Sequence, residues 1–297
     1  MKICYLILAH NNPHHFERLI KAISTNKPSV FVHIDAKSDL AEFSHIDTKN
    51  VTFLKNRVSV TWGRFSMVQA TLNLLNEALT NNEQHDYYCL ISGSDYPLKS
   101  QTFIEHYLEV NHGKEFINLV EMPSKKASKP LTRISQYYTD VEEIQKYHIP
   151  RLLAYIIARI VNTLHLKRDY KEALQGMKPY AGSQWWMLTQ GSIQHILKFV
   201  SKNPKFVDFF KNTQIPDESF FQIIIGNSVS KDKIARNVTF ADWSLGKHSP
   251  AIIDDNHIQY FTNENVVADD VYGKGALFFA RKFPNNSDRL IELIQHN

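Results

Sequence analysis

Short, largely apolar runs alternate with longer amphipathic ones through the first 120 residues, and this alternation narrows the fold more than any other feature. Residues 2–9 (KICYLILA), 29–34 (SVFVHI), 51–54 (VTFL) and 87–91 (YYCLI) read as buried strands. Between them, residues 13–24 carry Phe16, Leu19, Ile20 and Ile23 on one helical face. Residues 65–80 set Met67, Ala70, Leu72, Leu74, Leu75 and Leu79 in a wide helical stripe. A helix at 101–110 and a strand at 115–120 continue the order. Strands that are apolar on both faces need cover on both, and intervening helices supply it. The pattern predicts an α/β fold with a mostly parallel central sheet and helices on both faces.

The pattern changes after residue 120. Residues 122–180 are polar and then helical, without a strand signature. We read about 125–178 as a helical insertion beside the sheet, so that 1–297 forms a single domain. Its most apolar part, residues 151–168 (RLLAYIIARIVNTLHLKR), ends in basic residues. Two readings stand: a helix buried against the main domain, or a peripheral membrane-surface helix with basic residues flanking an apolar face. From 181 the alternation resumes, with strands at WWML and 276–280, helices at 191–201 and 217–225, an extended segment at 238–243 and a closing helix at 287–295.

Composition removes several classes of protein. A charged fraction of 22% beside 12% aromatic residues excludes intrinsic disorder. A formal charge of +4 without a concentrated basic face argues against nucleic acid as a partner. Cys4 and Cys89 both sit inside apolar runs and read as buried hydrophobes of a reduced, cytoplasmic chain. The N-terminal run reads as a strand rather than a signal peptide. No stretch approaches the roughly 20 apolar residues of a spanning helix.

In parallel α/β sheets, ligands bind outside the carboxyl ends of the strands. The polar residues there are His10-Asn11-Asn12, the segment HIDAK with Asp35, and the segment SGSDYP with Asp95. These are expected to converge on one cleft, with each Asp either entering it or only capping its own turn. No Walker loop and no GxGxxG is present, so side chains must meet the charge of any nucleotide. Arg281 and Lys282, directly after the apolar run LFFA, are placed for that task. No His/Cys cluster has the spacing of a zinc site.

Seven ordered segments then carry a resemblance: ICYLILAH, FVHIDAKS, VTWGRFSMVQATLNLL, LISGSDYPLKS, AGSQWWMLT, IPDESFFQIIIGNS and ALFFARKF. The chain resembles the core-2/I-branching β-1,6-N-acetylglucosaminyltransferases and peptide xylosyltransferases, which share one family. PDESFF and FFARKF are closer to the xylosyltransferase branch. The resemblance implies a GT-A fold that transfers a sugar from a UDP-sugar with inversion, using basic side chains near the C-terminus in place of a metal. No cofactor or metal is expected. By the motif FFARKF, Lys282 is implied as the diphosphate cation. Where the branching enzymes supply a second, an Arg, this chain reads HIQYF, and Arg281, Lys247 and Lys274 are the substitutes.

From the PDE block, Glu218 is implied as the general base. It is expected in the first turn of a helix opened by Pro216, with apolar neighbours such as Trp185 or Trp186 keeping it basic. His10 and Asp35 match the uridine-contacting strand ends. Asp95 matches the position where metal-dependent GT-A enzymes hold their ion, and is expected to orient the donor sugar or a basic side chain. Ser183, Trp185 and Trp186 are substrate-side candidates, one Trp in the core and the other against a sugar ring. Glu121, Lys125, Lys126 and Arg133 resemble the acceptor-side region, while Trp62 and Gly63 read as structural. Lacking the anchor, stem and cysteine set of the animal members, the chain reads as a bacterial cytoplasmic enzyme, placed at the inner face of the membrane if 151–168 docks there. It would move N-acetylglucosamine or xylose onto a hydroxyl of a glycan acceptor in surface polysaccharide synthesis. Two rivals stay open: a sugar-nucleotide nucleotidyltransferase, whose Gly-rich basic N-terminal loop ILAHNNPHH does not provide, and a non-catalytic glycan-binding or scaffold protein.

Overall fold

The structure, a computed structural model, describes residues 1–46, 49–80, 83–246, 249–261 and 266–295. In chain order its strands are β1 (Ile3–Ala9), β2 (Ser29–Ile34), β3 (Val51–Phe53), β4 (Tyr87–Ser92), β5 (Asp95–Pro97), β6 (Glu115–Ile117) and β7 (Val120–Glu121). They continue as β8 (Tyr180–Ala181), β9 (Trp186–Thr189), β10 (Ile234–Ala235), β11 (Thr239–Ala241), β12 (Val267–Asp270), β13 (Gly273–Ala276) and β14 (Phe279–Arg281). Seven of them form the central sheet, in the order β10-β6-β9-β4-β1-β2-β3. Its ladders are parallel except the two that β9 makes, with β4 and β6. The predicted architecture is therefore present, with one reversed strand near its middle.

The fully apolar strands are buried along their whole length, β1 and β4 at every position. Alternate residues feed opposite layers. Cys4, Leu6 and Leu8 pack with the helix Phe65–Thr80, while Tyr5, Ile7 and Ala9 pack with the helix Pro13–Ile23. Cys4 and Cys89 are free and buried, as expected.

Three differences from the sequence reading concern the site. The expected helix 217–225 is broken: Pro216–Glu218 is a single 3₁₀ turn, Ser219 leaves helical geometry, and an α-helix runs over Phe220–Gly226. The break falls at Ser219 (φ -138°), and just before the turn Ile215 adopts φ 49°, a conformation that β-branched residues rarely take. The strand expected at 276–280 is not continuous: Ala276 ends β13, the second strand of a hairpin with β12, and β14 begins only at Phe279. β14 joins a second sheet, β11-β14-β5, beside the carboxyl end of β4. Between 125 and 178 lie the helices Thr132–Ser135, Val141–Gln145, Arg151–Thr163 and Tyr170–Leu174.

Candidate active site

The sheet brings its polar strand ends to one edge. β1, β2 and β4 run parallel and deliver His10, Asp35 and the 92–97 turn there. β9 runs the other way, with Trp186 paired to Leu90, so the residues that precede it, Gly182 to Trp185, come to the same edge. Asn118, after β6, joins them through the pairing of Ile117 with Trp186.

At one side of this edge stands a charged cluster built by the second sheet. Arg281 pairs with Asp95 in the antiparallel β5–β14 register, and Arg281 Nε lies 3.1 Å from Asp95 Oδ1. Asp95 is fully buried, and its other carboxylate oxygen accepts the Ser92 N–H at 3.1 Å. Burial pushes the Asp95 carboxyl up to about 6, against the pull of Arg281. The Arg281 guanidinium lies over the Trp185 ring, 4.3 Å from its centroid. Such stacking suits a planar, weakly hydrated cation.

Lys282, the next residue, is half-buried, with its backbone carbonyl held by the Ile253 N–H at 2.9 Å. Burial and the neighbouring Arg281 charge hold its ammonium below the ordinary lysine range. His10 is lowered by burial and then by Lys282, which places the two within electrostatic reach of each other. His15 supports the cluster from beneath. Its ring bonds the Asp95 carbonyl at 3.0 Å and the Ser287 hydroxyl at 2.7 Å, and stacks on Phe283.

The second cluster surrounds Glu218. Lys129 Nζ and Arg133 Nη1 each approach Oε2 at 2.5 Å. Oε1 takes no hydrogen bond from the described residues. Behind it Asp217 is buried and pushed up to about 7, by desolvation first and the Glu218 charge second. Tyr272, at the tip of the β12–β13 hairpin, has its hydroxyl raised by burial and by Glu218. The hairpin is clamped through Asp270, which accepts from Arg236 Nη2 at 2.8 Å.

One stretch of backbone links the clusters. The Gly182 N–H donates to the Glu218 carbonyl at 2.8 Å, the Ser183 carbonyl accepts from Gln222 at 2.6 Å, and Trp185 underlies Arg281. Gly182 has to be glycine, because a Cβ there would lie 1.7 Å from the Asn118 carbonyl oxygen.

The family model for the core-2/I-branching enzymes matches residues 3–266. The chain belongs to that family. Among its relatives, a human β-1,3-galactosyl-O-glycosyl-glycoprotein β-1,6-N-acetylglucosaminyltransferase 3 is 24% identical over 73% of this chain and 45% of its own length. Rat xylosyltransferase 2 is 22% identical over 82% of this chain and 27% of its own. The chain thus spans less than half the length of these relatives. A solved galactosyltransferase, LgtC with donor and acceptor sugar analogs, covers 99% of this chain and 95% of its own at 9% identity and a TM-score of 0.39, too distant to bear on the fold.

Several residues that the family resemblance implied do come together. Arg133 meets Glu218, Asp95 orients the basic side chain of Arg281, and Lys282 and His10 share one electrostatic neighbourhood. Asp35 caps its own turn, accepting from the Lys37 N–H at 2.9 Å, and Lys37 Nζ lies 3.6 Å from it. Ser183 hydrogen-bonds the Trp185 N–H through its hydroxyl at 3.3 Å.

Other expectations need correction. Glu218 is flanked by two cations rather than by an apolar ring, because the 3₁₀ turn aims it at the insertion. Neither Trp presents an open face of the kind expected for a sugar: Trp186 is core, packed on Phe221, and Trp185 is buried against Arg281. Glu121 is on the surface, paired with Lys178 at 3.3 Å. Lys125 and Lys126 are exposed, and Trp62, expected to be structural, is 61% exposed. Gly63 is structural as read: its φ is positive, and its carbonyl holds the Ile215 N–H at 3.0 Å, just before the PDE turn. Lys274 is exposed on the hairpin, and Lys247 lies outside the described residues.

Lys129, Asp217 and Tyr272 were missed. Asp217 was legible as the neighbour of Glu218 in PDE. Lys129 and Tyr272 lie in segments whose approach to Glu218 depends on long-range packing, and no local signal marks them.

Proposed function

We propose that this chain is an inverting, metal-independent glycosyltransferase that moves N-acetylglucosamine or xylose from a UDP-sugar to a hydroxyl of a glycan acceptor, in the synthesis of a surface polysaccharide. The observation that supports it best is the pairing of the two clusters along one short backbone segment. A lone carboxylate oxygen stands at one end, and a cation beside a strand-end histidine stands at the other.

Inverting transfer needs one carboxylate to accept the acceptor hydroxyl's proton while the anomeric carbon is attacked. Departure of UDP needs positive charge at the β-phosphate. In this reading Glu218 Oε1 takes the proton, and Lys129 and Arg133 hold the carboxylate through Oε2 while forming the acceptor side. Lys282 meets the diphosphate, and His10 and Asp35 flank the uridine. Asp95, where a metal-dependent relative holds its ion, is here spent on Arg281, which supports the metal-independent reading.

The test is incubation with individual UDP-sugars, with and without excess EDTA, while UDP release and thermal shift are followed. A ligand at about 100 times its Kd adds roughly 2.7 kcal/mol to stability. UDP release that persists in EDTA is expected. A strict Mn²⁺ or Mg²⁺ requirement would overturn the metal-independent part, and the absence of both shift and release with every UDP-sugar would overturn the whole.

A further inference from the structure

The helix Arg151–Thr163 buries only one narrow face. Ala154 and Ala158, with Ile157 of the same helix partly buried beside them, cluster with Ile144 within the insertion. At about 100° per residue, Leu152, Leu153, Ile156 and Ile160 occupy the opposite arc, and they are 45% to 76% exposed. Leu164 and Leu166, just beyond the helix, and Tyr147, just before it, are exposed too. Isolated exposed apolar residues need no explanation, but a contiguous arc of this kind marks a contact surface.

Charge identifies what covers it. From 144 to 168 the sequence holds Lys146, Arg151, Arg159, Lys167 and Arg168, with no Asp or Glu. On the same projection Arg159 borders the apolar arc beside Leu152, while Arg151 at the first turn and Lys167 beyond the last are exposed at its two ends. Of the acids flanking the segment, Asp140 pairs with Arg64, Glu143 pairs with Lys146, and Asp169 caps the helix Tyr170–Leu174, which leaves Glu142. An apolar arc rimmed by cations complements an anionic lipid surface, into which the side chains sink while the cations meet headgroups. A second copy of the same face would oppose cation to cation.

We infer that the helix Arg151–Thr163 docks this protein on anionic bilayers, lying in the plane of the interface. Among the described residues no helix is long and apolar enough to cross a membrane, so this is contact at the surface. The helix is not loosely tethered. Asn162 exchanges two hydrogen bonds of 2.9 Å with the Thr139 backbone, and Arg168 Nε donates to the Ile134 carbonyl at 2.9 Å, beside Arg133. Docking therefore fixes the Arg133–Glu218 pair relative to the lipid surface. The inference stands independently of the transfer reaction.

The test is co-sedimentation of the full chain with phosphatidylcholine vesicles carrying either no anionic lipid or about 30% phosphatidylglycerol. Binding to the anionic vesicles, weakened at high salt, is expected. Ile156→Asp/Ile160→Asp should reduce the bound fraction about tenfold or more. Arg151→Gln/Arg159→Gln should reduce it severalfold without touching the apolar arc, which keeps the test open should the first variant fold poorly. Circular dichroism and thermal unfolding report on folding in each case. The absence of wild-type binding, equal binding to neutral vesicles, or binding indifferent to both variants would overturn the assignment. So would a concentration-dependent dimer, seen by sedimentation, that Ile156→Asp/Ile160→Asp abolishes, since that would give the face to a second copy.

Discussion

Arg281 pairs with Asp95 across the β5–β14 ladder, and the two form an ion pair with Nε 3.1 Å from Oδ1 at a position where Asp95 is wholly buried. Lys282, one residue on, leaves this pair and enters the half-buried neighbourhood of His10. Two adjacent cations thus have different surroundings, one paired inside the fold and one half-buried without that pairing.

Alanine at each position should separate these roles. Lys282→Ala removes a charge-assisted contact of about 1.5–3 kcal/mol, so UDP affinity should fall about tenfold or more with little change in melting temperature. Arg281→Ala strands a buried carboxylate, and breaking such a pair costs about 3–5 kcal/mol of stability. Calorimetric UDP titration and thermal unfolding of both variants check this. A Lys282→Ala protein with unchanged UDP affinity would place the diphosphate elsewhere.

Glu218→Gln keeps the shape of the side chain and its contacts to Lys129 and Arg133 while losing the proton acceptor. UDP affinity should persist, and transfer should fall by about 10² to 10⁴. Retention of more than a tenth of the wild-type rate, measured by UDP release in the presence of acceptor, would remove Glu218 from the role.

Asp217 carries a pH signature. Its folded-state value, about 7, lies above its ordinary value because its charged form is desolvated and lies beside Glu218. A raised value favours the protonated folded state, so its contribution to stability is full below the ordinary aspartate range and is lost as pH rises through 7. Asp217→Asn removes this titration. The variant should gain on the wild type by a few degrees in melting temperature between about pH 5 and pH 8. Parallel melting curves for the two proteins across that range would refute the assignment.

Gly182→Ala tests the link between the clusters. Its Cβ would overlap the Asn118 carbonyl, and backbone rather than a flexible side chain would have to move. The variant should melt lower and lose activity with UDP affinity less affected, because the Gly182 N–H holds the Glu218 carbonyl. A variant with wild-type turnover would show that this strand entry does not position Glu218.

The layers of the fold were readable from local sequence because strands buried on both faces have no polar positions to spare, as β1 and β4 show, and because the stripe of the helix Phe65–Thr80 allows one buried face. The strand-end residues His10, Asp35 and Asp95 followed from the rule that parallel strands gather their carboxyl ends at one edge. Glu218 and Lys282 followed from motif resemblance. Three things were decided only by tertiary structure. Pairing across β5 and β14 turned Asp95 and Arg281 inward together. The expected helix broke at Ser219, after a 3₁₀ turn entered through the left-handed Ile215, and Glu218 in that turn met the insertion's Lys129 and Arg133. Long-range packing then brought Lys129, 89 residues away in sequence, to that carboxylate, and set the Tyr272 hairpin within reach of its charge. Periodicity reports which face of an element is buried, because burial acts on each residue singly. The partner of a charge depends on where two distant segments meet, and local sequence carries no record of that.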